Sequence, residues 1–235
     1  MNAQDILAEL APLGSPGYKK VMLQHGVREP FFGVKIEDLK KVQKRIKVDY
    51  QLALDLYATG NSDAMYLAGL IADDARMSRE DLQRWVDGAY CAMHFEYTVP
   101  WVATGNPLGR ELALEWIESD RENVAAAGWA TLGSLVSVKP DAELDLAELE
   151  RLLERVRDTI HDQPNRVRYV MNGFVIGVGC YVPALTAKAR EVAADLGEVR
   201  VDMGGTSCKV PDALDYIAKV EARGTLGKKR KTAKC

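Results

Sequence analysis

The sequence predicts an all-α chain, a superhelical stack of antiparallel helix pairs, on three observations. Apolar residues recur every three or four positions along most of the chain, as in Leu82, Trp85, Val86 and Ala89. Strand-like alternation is confined to Glu198-Val-Arg-Val-Asp202, expected as a short extended piece. A phrase also returns: Gln51-Leu-Ala-Leu-Asp55 comes back as Glu111-Leu-Ala-Leu-Glu115. Each copy is followed by a close-packing Ala-Gly, Ala68-Gly69 and then Ala127-Gly128. The interval of roughly 60 residues holds two helix pairs of about 30 residues each, within the range of stacked repeats. Such stacks build a long concave surface suited to long partners.

In chain order, helices are expected over 2–11 and 17–25, parted by Gly14-Ser-Pro-Gly17, and then over 36–47 and 49–58. After the Gly60-Asn61 break come 62–73 and 78–92, the latter opened by the capping-box spacing of Ser78 and Asp81. Helix 97–104 runs up to Gly105-Asn-Pro107, and 107–118 follows. Ser119 with Glu122 has the same capping spacing ahead of 121–137. Lys139-Pro140 precedes 145–162, Gln163-Pro164 precedes 165–181, and 183–196 and 211–222 complete the set. One repeat domain is expected over 1–222, with a basic tail over 223–235. The first 30 and last 40 residues differ from the middle, as the capping ends of an array should.

The chain has 235 residues, with 47% hydrophobic and 28% charged, an ordinary globular composition. No apolar run approaches the roughly 18–20 residues of a membrane span, so no membrane partner is expected. Met1-Asn-Ala-Gln-Asp5 lacks a basic segment leading into an apolar core, so no signal peptide is expected. The four scattered cysteines, Cys91, Cys180, Cys208 and Cys235, then read as reduced thiols in a cytoplasm. The net charge of −3 hides an asymmetry. Lys219, Arg223, Lys228, Lys229, Arg230, Lys231 and Lys234 stand against Glu221 alone near the end, leaving an acidic body. Two readings stand, a polyanion-binding tail and a solubilising one.

No metal or other cofactor is expected. There is no C-x-x-C and no H-x-x-x-H, and His25, His94 and His161 are far apart. Gly177-Val-Gly179 lies inside a helical pattern, so it is not a dinucleotide fingerprint. Met203-Gly-Gly-Thr-Ser-Cys-Lys209 sets the Cys208 thiol beside an amine, which suits either a reactive cysteine or a tight turn before the last helix.

Two clusters carry candidate binding chemistry. In His94-Phe-Glu-Tyr-Thr-Val-Pro-Trp101, Tyr97 and Trp101 are four apart and share a helical face beside Glu96. Aromatics beside a carboxylate suit a cationic or electron-poor ligand, and equally a core aromatic pair with an exposed glutamate. In segment 165–181, Asn165, Arg168, Tyr169 and Asn172 form one polar stripe, either lining the concave face or solvated. Gly173, Gly177 and Gly179 cost a helix up to about 1 kcal/mol each, which close helix packing would offset. Lys40, Lys41, Lys44 and Arg45 form a basic run that fits phosphates or a solvated helix face.

Gly33-Val-Lys-Ile-Glu-Asp-Leu-Lys-Lys, Leu112-Ala-Leu-Glu-Trp-Ile-Glu-Ser and Gly173-Phe-Val-Ile resemble the DNA alkylation repair family, AlkD-like proteins with HEAT-like repeats. The likeness runs over roughly residues 5–195. It implies a HEAT/armadillo-like superhelix whose basic concave face holds double-stranded DNA. Active members are monofunctional glycosylases that release N3- and N7-alkylated purines. Alkylation makes the base a good leaving group, so a carboxylate and aromatic faces that stabilise positive charge suffice. On this resemblance Glu96 is the candidate catalytic carboxylate. Tyr97, Trp101, Phe174, Asn165, Arg166, Arg168, Tyr169 and Asn172 are candidate substrate contacts. Lys40, Lys41, Lys44, Arg45, Lys228, Lys229, Arg230 and Lys231 are candidate backbone contacts.

The chain departs from the family pattern at the site itself. Active members carry a Trp-Asp-x-Val-Asp type motif on the helix matching 95–103. With the valines aligned, Glu96 falls at the tryptophan and Pro100 at the catalytic aspartate. Ala127-Gly128 stands where an arginine pair is expected, and Phe174 replaces a tryptophan. The alternative to a glycosylase is therefore a non-catalytic helical-repeat scaffold that binds DNA structure or a protein.

Overall fold

Helices follow one another from end to end of the computed structural model, which describes residues 2–234; Cys235 lies outside them. Three helices lead in: α1 (Ala3–Leu10), α2 (Pro16–Gln24) and α3 (Ile36–Ile46). Five pairs follow, each an outer and an inner helix. The outer layer is α4 (Tyr50–Ala58), α6 (Arg79–Gly88), α8 (Gly109–Trp116), α10 (Leu146–Thr159) and α12 (Thr186–Leu196). The inner layer is α5 (Ser62–Ile71), α7 (Val99–Gly105), α9 (Glu122–Val138), α11 (Asn165–Tyr181) and α13 (Ala213–Ala222). Successive inner helices pack side by side, and each outer helix covers its partner. The described residues contain no strand; one isolated bridge joins Gly14 to Val34, and 198–202 forms no ladder.

Burial separates the layers. Every residue of α5 is buried, whereas α10 buries only the stripe Leu149, Leu152, Leu153 and Val156. A helix buried all round is apolar on most sides, and its buried polar groups are paired, as Asp63 is by three backbone N–H groups; a surface helix needs only one apolar stripe. Aromatic pairs fill the seams: Tyr57 stacks on Trp85 at 4.1 Å, and its hydroxyl donates to the Trp85 carbonyl at 2.7 Å. Trp129 meets Phe174 edge-on at 5.3 Å between α9 and α11. Burying such a side chain stabilises by about 1.5–3 kcal/mol.

The repeated Ala-Gly does two jobs. A β-carbon on Gly128 would sit 2.8 Å from the Ala113 carbonyl oxygen, so this glycine lets α9 close on α8. One on Gly69 would sit 2.6 Å from Thr98 Cγ2, so that glycine lets α5 close on the next inner helix instead.

Ion pairs tie the outer helices together. Arg79 reaches Glu111 and Glu115 between α6 and α8, Arg110 reaches Glu148 on α10 at 2.6 Å, and Lys188 reaches Glu154 between α12 and α10 at 2.5 Å. Exposed pairs contribute little stability each, about 0–1 kcal/mol. They do use much of the acidic body's charge on the outer face.

One expected cap fails and one expected helix start moves. Ser78 and Asp81 make the full capping box at α6. Ser119 does not cap α9: its hydroxyl accepts from Arg121 N–H at 3.2 Å, and Glu122 accepts from Arg166 N–H at 2.6 Å. Helix α6 ends at Gly88, and the next helical segment begins before residue 97 with a π-helical stretch, Met93–Thr98, that runs into α7. Pro100 explains the wide turn. A proline has no N–H and its ring collides with the carbonyl four residues back. A π-turn opens the ladder at that point, and Thr98 Oγ1 donates to the Met93 carbonyl five residues back at 3.2 Å.

Candidate nucleic-acid groove

A groove runs across the inner layer, because small residues keep its floor low. Tyr169, Gly173, Gly177 and Tyr181 recur every fourth residue on one face of α11, and all four line it. Ala130, Gly133, Ser134 and Ser137 give α9 the same low surface. A β-carbon on Gly173 would meet nothing within 4 Å, so this glycine leaves open space. Gly179 is different: a β-carbon there would meet Ile217 Cδ1 at 2.4 Å, so it serves the α11–α13 seam. The groove consists of two adjoining cavities, of about 390 and 570 Å³, that share Glu96, Tyr97, Trp101 and Tyr169.

The shared residues form its narrow centre. Tyr97 is 43% exposed and lies against Trp101 at 6.2 Å between ring centroids, while Trp101 is buried edge-on to Tyr66. The π-turn puts Glu96 and Tyr97 at this wall. Glu96 does not stand free. Arg166 donates to its Oε1 through Nε at 2.6 Å and Nη2 at 2.5 Å, and the two side chains are 3% and 19% exposed. The guanidinium also lies over Tyr169 at 4.5 Å and touches Met203 Sδ at 3.4 Å. Burial pushes the Glu96 carboxyl up to about 7, although Arg166 holds it down and Glu122 adds to the rise. Next to it, His94 is fully buried with Ser62 Oγ at 3.0 Å, and burial pushes its imidazole down to about 4.

The groove has two unlike edges. At the N-terminal ends of α9 and α11, segment 197–212 is bound along α11. Asn165 Nδ2 donates to the Asp202 carbonyl at 2.8 Å, Asp202 N–H donates back to Asn165 Oδ1 at 2.7 Å, and Asn172 Nδ2 donates to the Pro211 carbonyl at 2.9 Å. At the C-terminal ends, residues 225–234 cross α11, α9 and α5. Gly227 N–H donates to Cys180, Arg230 N–H to Ser137, Lys229 Nζ to Val136 and Lys234 Nζ to Ala72. Helix C-termini leave carbonyls without intrahelical partners and carry partial negative charge, so a basic strand fits there.

These contacts sort the expected site residues. Glu96, Tyr97, Trp101, Arg166 and Tyr169 come together at the groove centre. Asn165 and Asn172, expected to face a ligand, hold the chain's own 197–212 segment instead. Arg168 stands with Asn165 along a separate cavity under that segment. Phe174 is fully buried against Trp129 and supports the floor from beneath. Lys40, Lys41, Lys44 and Arg45 lie on α3 and none lines the groove; Lys41 pairs with Asp38 and Arg45 with Glu9. Lys228 and Arg230 border the groove, Lys231 lies just outside it, and Lys229 is an anchor to Val136 and Asp141. Tyr181, Tyr216 and Met203, which also line it, were not anticipated; the four-residue spacing from Tyr169 to Tyr181 was the available signal. No cluster of three or more His, Cys, Asp or Glu that could hold a metal occurs among the described residues. Cys91 and Cys180 are buried and Cys208 is exposed.

A model of the DNA alkylation repair enzyme family matches residues 6–189. The chain belongs to the DNA alkylation repair family. Uncharacterized proteins of Listeria innocua and Listeria monocytogenes are 34% and 33% identical over 220 residues, covering 92% of this chain and 95% of each relative. A solved structure superposes with a TM-score of 0.93 at 37% identity, covering all of both chains. That protein is described as one of a new family related to the HEAT-like repeat DNA glycosylases, with affinity for branched DNA structures. The stack of helix pairs is thus the HEAT-like fold. In this member of the DNA alkylation repair family, Pro100 is buried at the groove wall, Gly128 is buried in the α8–α9 seam and Ala127 beside it is fully buried. None of the three offers a charge to a ligand.

Proposed function

We propose that this member of the DNA alkylation repair family is a non-catalytic DNA-binding protein that recognises branched DNA through the inner groove. The observation that carries this reading is the Glu96–Arg166 pair. A glycosylase of this kind needs a carboxylate free to stabilise a sugar cation. Among the described residues that line both cavities there is one carboxylate, Glu96, and it is already compensated by two short bonds from Arg166. Proline at 100 supplies neither charge nor proton.

What remains is a binding surface. Tyr97 and Tyr169 offer aromatic faces at the groove centre. A base in a perfect duplex is stacked on both sides, whereas bases at a branch point lose a stacking partner. Stacking on an aromatic side chain contributes about 1–3 kcal/mol per base, which favours a branch over a continuous duplex. The affinity of the 37%-identical solved relative for branched DNA supports this choice of ligand.

A second reading, excision of N3- or N7-alkylated purines, is favoured by one observation: Glu96 lies on the groove wall beside Tyr97 and Trp101. One pair of assays separates the two. Incubation with alkylated duplex DNA is expected to release no 3-methyladenine or 7-methylguanine, while a four-way junction is bound more tightly than a duplex of the same arm sequence. Release of either base that is abolished in Glu96→Gln would establish the second reading.

A further inference from the structure

The C-terminal residues are expected from sequence as a tail, yet they are docked, and their basic side chains divide into two sets. Lys229 and Lys234 point inward: Lys229 Nζ meets the Val136 carbonyl at 2.9 Å and Asp141 at 2.8 Å, and Lys234 Nζ meets the Ala72 carbonyl at 3.0 Å and Asp74 at 2.7 Å. Their side chains are 19% and 20% exposed. Two backbone bonds of 2.8 Å, from Gly227 to Cys180 and from Arg230 to Ser137, hold the strand between them, and Ala233 is buried. Gly227 is confined as well: its φ is +74° and a β-carbon would meet Pro183 Cγ at 2.7 Å. Lys228, Arg230 and Lys231 are exposed, with no side-chain hydrogen bond or ion pair among the described residues, and Lys228 and Arg230 border the groove.

We propose that residues 225–234 are a fixed cationic strap, in which Lys229 and Lys234 fasten the strand to the C-terminal ends of α5 and α9 while Lys228, Arg230 and Lys231 bind backbone phosphates of one arm of a branched DNA. The ligand class rests on the DNA-binding reading above; the strap adds where the phosphates sit and why these cations are held in place. A docked strand loses little conformational freedom on binding, whereas a disordered basic tail must be ordered first. The surplus positive charge also sits at one edge only, which gives the groove a direction.

The test uses the full chain, a four-way DNA junction and a salt titration. Each phosphate contact contributes a slope of about 0.9 in the plot of log K against log salt. Replacing Lys228, Arg230 and Lys231 together by alanine is expected to lower that slope by roughly two to three and to weaken binding at least about tenfold at moderate salt. The melting temperature should stay near wild type, because these side chains hold nothing. Hydrogen exchange on the free protein provides the second measurement: the Gly227 and Arg230 amides should be protected, and Lys229→Ala with Lys234→Ala should remove that protection. Wild-type junction binding with an unchanged slope in the triple variant overturns the strap alone and leaves the DNA-binding reading intact. Unprotected amides overturn the docking. Absence of junction binding by the wild type overturns the strap together with the reading it rests on.

Discussion

The two edges of the groove handle charge in opposite ways. On the N-terminal side, at the groove centre, the Arg166 guanidinium pairs with Glu96 while its backbone N–H donates to Glu122, and at the edge itself neutral Asn165 and Asn172 hold the crossing segment. At the C-terminal edge two lysines hold the strand, and three further cations border or adjoin the groove without partners among the described residues. A buried charge must be paired to persist, whereas an exposed one is available to a ligand. Basic side chains are therefore structural at both edges, and only the C-terminal edge adds groove-bordering cations that have no partner among the described residues.

The largest expected effect breaks the buried pair beside the first edge. Arg166→Ala leaves Glu96 buried without its partner, and loss of one member of such a pair costs about 3–5 kcal/mol. Urea unfolding should report this, and a loss below 1 kcal/mol would mean that the pair is not buried in solution. Glu96→Gln sharpens the same point through pH. The folded-state carboxyl lies near 7, above its ordinary 4.5, so the folded protein holds a proton that the unfolded chain releases between those values. That contribution to stability is present below about 4.5 and is lost as pH rises towards 7. The stability of Glu96→Gln relative to wild type should therefore rise across this window, by up to about 3 kcal/mol. A difference that is flat with pH contradicts it.

Between the edges, Tyr97→Ala removes an exposed ring. It should weaken junction binding by about 1–3 kcal/mol with little change in melting temperature. Equal weakening for junction and duplex would assign Tyr97 no part in the preference. The smallest effect belongs to the outer face: Arg110→Ala breaks the exposed pair with Glu148 and should shift Tm by no more than about 2–4 °C, with no change in DNA affinity.

Helix order was legible because apolar spacing and proline or glycine breaks are local signals, and every expected helix has a counterpart. The π-turn was not, since only the packing around Pro100 reveals how its missing N–H is accommodated. The Tyr97–Trp101 face was readable from four-residue spacing. Partners distant in the chain were not: Glu96 and Arg166 are brought together by the packing of inner helices, and no periodicity links them. The spacing of Asn165, Arg168, Tyr169 and Asn172 marks a polar stripe but not its partners: Asn165 and Asn172 bind the 197–212 segment of the same chain, while Tyr169 lines the groove. Nor does a run of basic residues reveal that two of them, Lys229 and Lys234, dock on helix ends.

The central claim is that this chain binds DNA at a branch and does not excise from it. Competition by a four-way junction and by a continuous duplex of equal length, against one labelled junction at fixed salt, tests it most directly. The account predicts that the junction competes at least about tenfold better, with a salt-dependent affinity for both. Equal competition by the duplex, or release of alkylated purine from it, would contradict the account.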